Sequence, residues 1–210
     1  MNETMFSSSE RMPRSILLIL GLLLVVSVTL VALLVVAGAS PRRFKGLDLE
    51  KTPAPDFRLM DQDGKTVALS DLRGKVVVLT FVYSQCRDIC PIIALKLSKA
   101  YADLDDVKDQ VRIVAVSVAP ELDTPISIAK FSQETQMHGK WLYLTGTRAE
   151  LQSVWQAYYL AVATPVSQDT PVGHQSRVVL IDSAGKERVH FSPDFNPDDL
   201  VHDVRLLVQE

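Results

Sequence analysis

Residues 81–91 read Phe81-Val82-Tyr83-Ser84-Gln85-Cys86-Arg87-Asp88-Ile89-Cys90-Pro91, and the fold turns on what stands on either side of them. Upstream, residues 75–83 are a nearly unbroken run of Val, Leu, Phe and Thr, the composition of a strand buried on both faces. Downstream, Ile92, Ile93, Leu95, Leu97, Ala100 and Leu104 recur at helical spacing, which predicts an amphipathic helix beginning near Pro91. Two thiols one turn apart therefore stand at a strand-to-helix junction. Unpaired amides and the helix dipole favour an anion there, and Arg87 adds a cation, so at least one thiol is expected to be acidic. A thiolate binds soft metals and attacks disulfides, and cysteines so spaced on a helix can meet the Cα separation of a disulfide, about 4.4–6.8 Å. A metal site and a redox couple both remain open. The bland alternative, two buried inert cysteines, is disfavoured by their place at the carboxyl end of a core strand, where open α/β sheets bind their ligands.

Working outward, residues 56–60 and 66–69 flank the turn Asp61-Gln62-Asp63-Gly64-Lys65 and predict a β-hairpin. Residues 111–118 form a second buried strand. Thr124-Pro125 opens a helix, residues 141–145 a short strand, and Thr147-Arg148-Ala149-Glu150 has capping-box spacing for a helix to about Tyr159. A loop rich in Pro, Thr and Ser leads to His174. Residues 177–182 and 187–191 make a second hairpin, and residues 198–208 a closing helix. Strand-helix-strand crossovers extended by an antiparallel hairpin predict an α/β, thioredoxin-like fold with an N-terminal β-hairpin.

The chain has 210 residues and a formal net charge of -3 with interleaved signs, which excludes the basic stripe of a nucleic-acid binder. Its two cysteines are too few for a disulfide scaffold. Residues 16–39 carry no charge, and at about 1.5 Å per residue they would span a hydrocarbon core of about 30 Å. One transmembrane helix, an uncleaved signal anchor, is expected. The alternative is a cleaved signal peptide with Ala37-Gly38-Ala39 as its site, but signal cores run only about 7–15 residues. The expected organisation is a tail over 1–15, the anchor over 16–39, a proline-punctuated linker over 40–55 and one domain over 56–210. Arg11 and Arg14 before the span, against Arg42, Arg43 and Lys45 after it, slightly favour a cytoplasmic C-terminal domain.

The segment Cys86-x-x-x-Cys90-Pro91 after an aromatic strand resembles the SCO/SenC family of copper chaperones. The resemblance runs from about Pro55 to the final helix, through Asp88, the stretch Ser117-Val118-Ala119-Pro120-Glu121-Leu122-Asp123-Thr124, Leu144-Thr145-Gly146-Thr147 and Leu180-Ile181-Asp182-Ser183-Ala184-Gly185. It implies a thioredoxin-like domain in which two cysteines and one histidine bind copper, here Cys86, Cys90 and His174. Two soft thiolates and an imidazole suit Cu(I) in a three-coordinate site, with Cu(II) conceivable if solvent or a carboxylate completes the set. Two positions depart from the family: Ala119 and Gly173 stand where Asp is usual. His138, His190 and His202 are expected to have no special role, and Tyr83, Gln85 and Asp88 to be supporting residues.

The resemblance further implies a membrane-anchored protein that delivers copper to the binuclear copper centre of a cytochrome c oxidase, with the copper-bearing subunit as partner and no small-molecule substrate. It places the domain outside the cytoplasm, in the periplasm or the mitochondrial intermembrane space, on a single-pass inner-membrane anchor. A thiol-disulfide oxidoreductase using Cys86 and Cys90 as its redox pair is the competing reading; a peroxidase of the same fold fits the cysteine spacing less well.

Overall fold

The computed structural model describes residues 14–38, 43–163, 172–173 and 176–210, with backbone alone at 14, 17 and 32–38. The chain divides into two units, Met1–Arg43 and Phe44–Glu210. In the first lies helix α1 (Arg14–Gly38). Among the described residues no helix is long and apolar enough to cross a membrane. The single-pass anchor expected over 16–39 is corrected on this ground. With it fall the membrane as a partner, the membrane-anchored form of the function and the inner-membrane placement.

The second unit is an α/β, thioredoxin-like fold. Its chain runs β1 (Leu47–Pro53), β2 (Arg58–Met60), β3 (Thr66–Ala68), β4 (Val76–Val82), α2 (Ile89–Asp103), β5 (Val111–Ser117), α3 (Pro125–Glu134), β6 (Trp141–Leu144), α4 (Arg148–Ala157), β7 (Val178–Ile181), β8 (Lys186–Phe191) and α5 (Pro197–Val208). The main sheet has the order β1-β8-β7-β4-β5-β6. β4 pairs in parallel with β5 and β5 with β6, each reached through a helical crossover, while β7 is antiparallel to β4. β4 is buried along its whole length, as its apolar run demands of a strand inside the sheet, between β7 and β5.

Local signals set the helix starts. Thr124 accepts from Ser127 N ahead of Pro125, and Thr147 and Glu150 form a reciprocal capping box. α2 and α5 pack together, and Tyr158 after α4 sets its ring 5.5 Å from that of Phe81 on β4. The β2–β3 hairpin covers the outer edge of β6: Met60 and Thr145 exchange two backbone hydrogen bonds, and Gln62 Oε1 accepts from Tyr143 N at 2.8 Å. In its turn Gly64 has φ +80°.

The expected linker over 40–55 is partly sheet. β1 pairs antiparallel with β8 as an edge strand. Its approach is fixed by Asp203 on α5, fully buried, whose carboxylate accepts from Lys45 N and Gly46 N at 2.9 Å. A Cβ at Gly46 would lie 2.5 Å from Val189 Cγ1, so only glycine passes there.

Candidate metal and thiol site

The end of β4 delivers the chain to Tyr83, and six residues later α2 begins at Ile89. The helix starts two residues before Pro91, so Cys90 lies inside its first turn and Cys86 in the loop before it. That loop is held by side chains at 117–127. Ser84 N donates to Asp123 Oδ1 at 2.7 Å, Ser84 Oγ to Ser127 Oγ at 2.9 Å, and Gln85 Nε2 to Leu122 O at 2.8 Å. Cys86 N closes a turn onto Tyr83 O at 3.2 Å.

Asp123 is the hub of these contacts. Buried, it accepts from Ser117 Oγ at 2.5 Å and Tyr143 Oη at 2.8 Å besides Ser84 N, and Trp155 Nε1 ties the Ser117 carbonyl to α4 at 2.9 Å. Burial raises its carboxyl above the usual range, and its hydrogen-bond donors oppose that. Sequence reasoning gave Asp123 no role. The only signal was its place in the 117–124 stretch, and its partners come from β5, β6 and the Cys86 loop.

Both cysteines are free thiols, Cys90 fully buried and Cys86 9% exposed. They are strongly unequal. A hydrogen bond from the Cys90 thiol is the largest influence on Cys86, and with the amides of Asp88 and Cys90 and the Tyr83 hydroxyl it lowers Cys86 from 9.0 to about 6. The same bond, then burial, pushes Cys90 well up. Burial and the neighbouring Cys86 likewise raise Tyr83 to about 12. The expected acidic thiol is thus Cys86, but Arg87, exposed at the rim, is not among the leading causes. The Asp88 side chain makes no capping bond to α2, and Gln85 braces the loop.

His174 lies outside the described residues. Val172, two residues earlier, donates from its backbone N to Tyr83 Oη at 3.3 Å, and Gly173 O accepts from Ala163 N at 2.8 Å. Among the described residues a Cβ at Gly173 would meet only Ala163 Cβ, at 3.7 Å. Ala119 is buried, its carbonyl accepting from Leu122 N and Asp123 N. Among the described residues no three His, Cys, Asp or Glu side chains converge to hold a metal ion, so the cysteine pair is a two-ligand set there. His190 is half-buried, its Nε2 without a hydrogen bond among the described residues, and His202 Nδ1 meets Asp203 at 2.8 Å.

The chain is similar to known proteins over most of its length. The SCO1 protein homolog of Bacillus subtilis is 29% identical over 153 residues, 71% of this chain and 79% of its own. The crystal structure of Arabidopsis thaliana ScoI with copper bound superposes with a TM-score of 0.67 at 27% identity, covering 76% of this chain and 100% of that one. BsSco, described as a member of the Sco family of cytochrome c oxidase assembly proteins with a disulfide switch, superposes with a TM-score of 0.65 at 27% identity, covering 78% and 97%. The SCO1/SenC family profile matches residues 47–209, from the first strand of the sheet to the end of the last helix, and the chain belongs to that family.

Proposed function

We propose that this protein binds Cu(I) through Cys86, Cys90 and His174 and passes it to the copper-bearing subunit of a cytochrome c oxidase. The observation that carries the reading is the thiol pair itself: two free cysteines four residues apart at a helix start, with Cys86 lowered to about 6 chiefly by the neighbouring Cys90 thiol. Soft thiolates select Cu(I), and a third, nitrogen ligand completes a low-coordinate site that can release its ion by ligand exchange. The bond from Val172 to Tyr83 supports His174 as that ligand, because it holds the preceding residues beside the cysteine loop. The copper-bound Arabidopsis relative supports the cargo, and the description of BsSco supports the oxidase.

The thiol asymmetry assigns the protons. At neutral pH Cys86 is ready as a thiolate, whereas Cys90 must lose its proton to the solvent as copper binds, so loading should release one proton per ion. Copper stoichiometry on the reduced chain tests the proposal. One Cu(I) per chain is expected, lost in Cys86→Ser and Cys90→Ser and weakened in His174→Ala. Copper held as tightly by His174→Ala as by the parent would remove His174 from the ligand set.

The same asymmetry favours a second reading, a thiol-disulfide oxidoreductase with Cys86 as nucleophile and Cys90 as the resolving thiol. His174→Ala separates the two: disulfide exchange should survive it, and tight copper binding should not.

A further inference from the structure

Cys86 opens sideways into a groove of about 580 Å³ between the start of α2 and α3. Cys90 is fully buried, so a partner reaching the pair must come to Cys86. The far wall is one face of α3, where Ile126, Lys130 and Glu134 follow at four-residue spacing and stack along the helix. Ile126 is 84% exposed; across from it on α2 stands Leu95 at 45%, with Ile92 one turn before it at 47%. Six large apolar side chains are exposed among the described residues of 44–210 (Leu47, Met60, Ile92, Leu95, Ile126 and Tyr159), and two of them, Leu95 and Ile126, line this groove. Arg87 lines the mouth, exposed and without an ion pair among the described residues.

The wall formed by the ten residues of α3 is about 15 Å long, the reach of four to five residues of extended chain at about 3.3 Å each. We propose that this groove docks an extended segment of the partner protein, one in which a cysteine is flanked by an apolar residue and a carboxylate, and brings that cysteine onto Cys86. The apolar residue would cover Ile126 and Leu95, and the carboxylate would pair with Arg87. The assignment of a protein partner rests on the function proposed above. Its test contains no metal, so failure of the copper reading and failure of the groove are separate results.

The reduced, metal-free full chain is mixed with an octapeptide whose single cysteine is a thiopyridyl disulfide, with leucine before it and glutamate after. The Cys86 thiolate attacks the peptide sulfur, forming a new S–S bond as the old one breaks, and the departing pyridine thiolate takes a proton from water on its ring nitrogen and leaves as thiopyridone, followed by its near-ultraviolet absorbance. Each rate is divided by the rate of the same variant with dithiodipyridine, which removes changes in Cys86 reactivity. The glutamate peptide should exceed one with lysine in its place by about tenfold, equivalent to about 1.4 kcal/mol. Ile126→Asp should lower the ratio about tenfold, and Arg87→Glu should reverse the preference. Leu95→Glu gives a second entry to the same wall if Ile126→Asp proves misfolded by circular dichroism. Equal rates for the two peptides, or a ratio unmoved by the wall variants, would overturn the proposal.

Discussion

Replacing Cys90 by alanine removes the largest single influence on the Cys86 thiol while leaving the amides of Asp88 and residue 90 in place. A hydrogen bond to a charged group contributes about 1.5–3 kcal/mol, and at about 1.36 kcal/mol per pH unit its loss should raise the Cys86 midpoint from about 6 by about one to two units. At pH 7 the thiolate fraction would fall from about nine-tenths to between about one-half and one-tenth, slowing alkylation about two- to tenfold. The assay is the pH dependence of iodoacetamide labelling of the reduced chain, with Cys86 followed by peptide mass. Because the folded Cys86 lies below the unfolded thiol, near 8.5, its ionisation contributes stability present above that value and lost as pH falls through about 6. Cys90→Ala should flatten that slope. A midpoint still near 6 in the variant, or one at 8.5 or above in the parent, would refute the thiol pair as the source of the acidity.

Asp123→Ala strands three donors, the buried Ser117 Oγ and Tyr143 Oη and the partly buried Ser84 N, and should cost about 3 kcal/mol or more in chemical denaturation; a loss under about 1 kcal/mol would show that the hub is dispensable. Gly46→Ala forces a methyl against Val189 and should cost about 1–3 kcal/mol, read as a lower Tm. Among the described residues a side chain at Gly173 meets only a methyl, at van der Waals distance, so in Gly173→Asp stability should stay within about 0.5 kcal/mol while competition with a Cu(I) chelator shows tighter binding; weaker binding would refute the view that a carboxylate beside His174 assists the site.

What was legible in the sequence was what is local. The buried run of β4, the periodicity of α2 and the Thr147/Glu150 capping box are written within a few consecutive residues, and each formed where it was expected. β1 was hidden because an edge strand needs no apolar alternation: it is exposed along most of its length and is held by the backbone of β8, so its sequence reads as a polar linker. Asp123 was hidden for a related reason, since its three donors lie 6 to 39 residues away and no spacing rule joins them. The two cysteines were legible as a reactive pair, but their inequality was not, because the donor that makes Cys86 acidic is the other thiol rather than the adjacent arginine.

The clasp between Lys45 and Asp203 also sets an order of events during synthesis. Its two residues lie 158 positions apart, and β1 finds its pairing strand, β8, only near the end of the chain. At about 5–20 residues per second, the first strand to leave the ribosome waits roughly 8–30 s for the residues that fasten it. Asp123 and Ser127, which brace the cysteine loop, follow it by only about 40 residues and are made long before the residues that fasten the first strand.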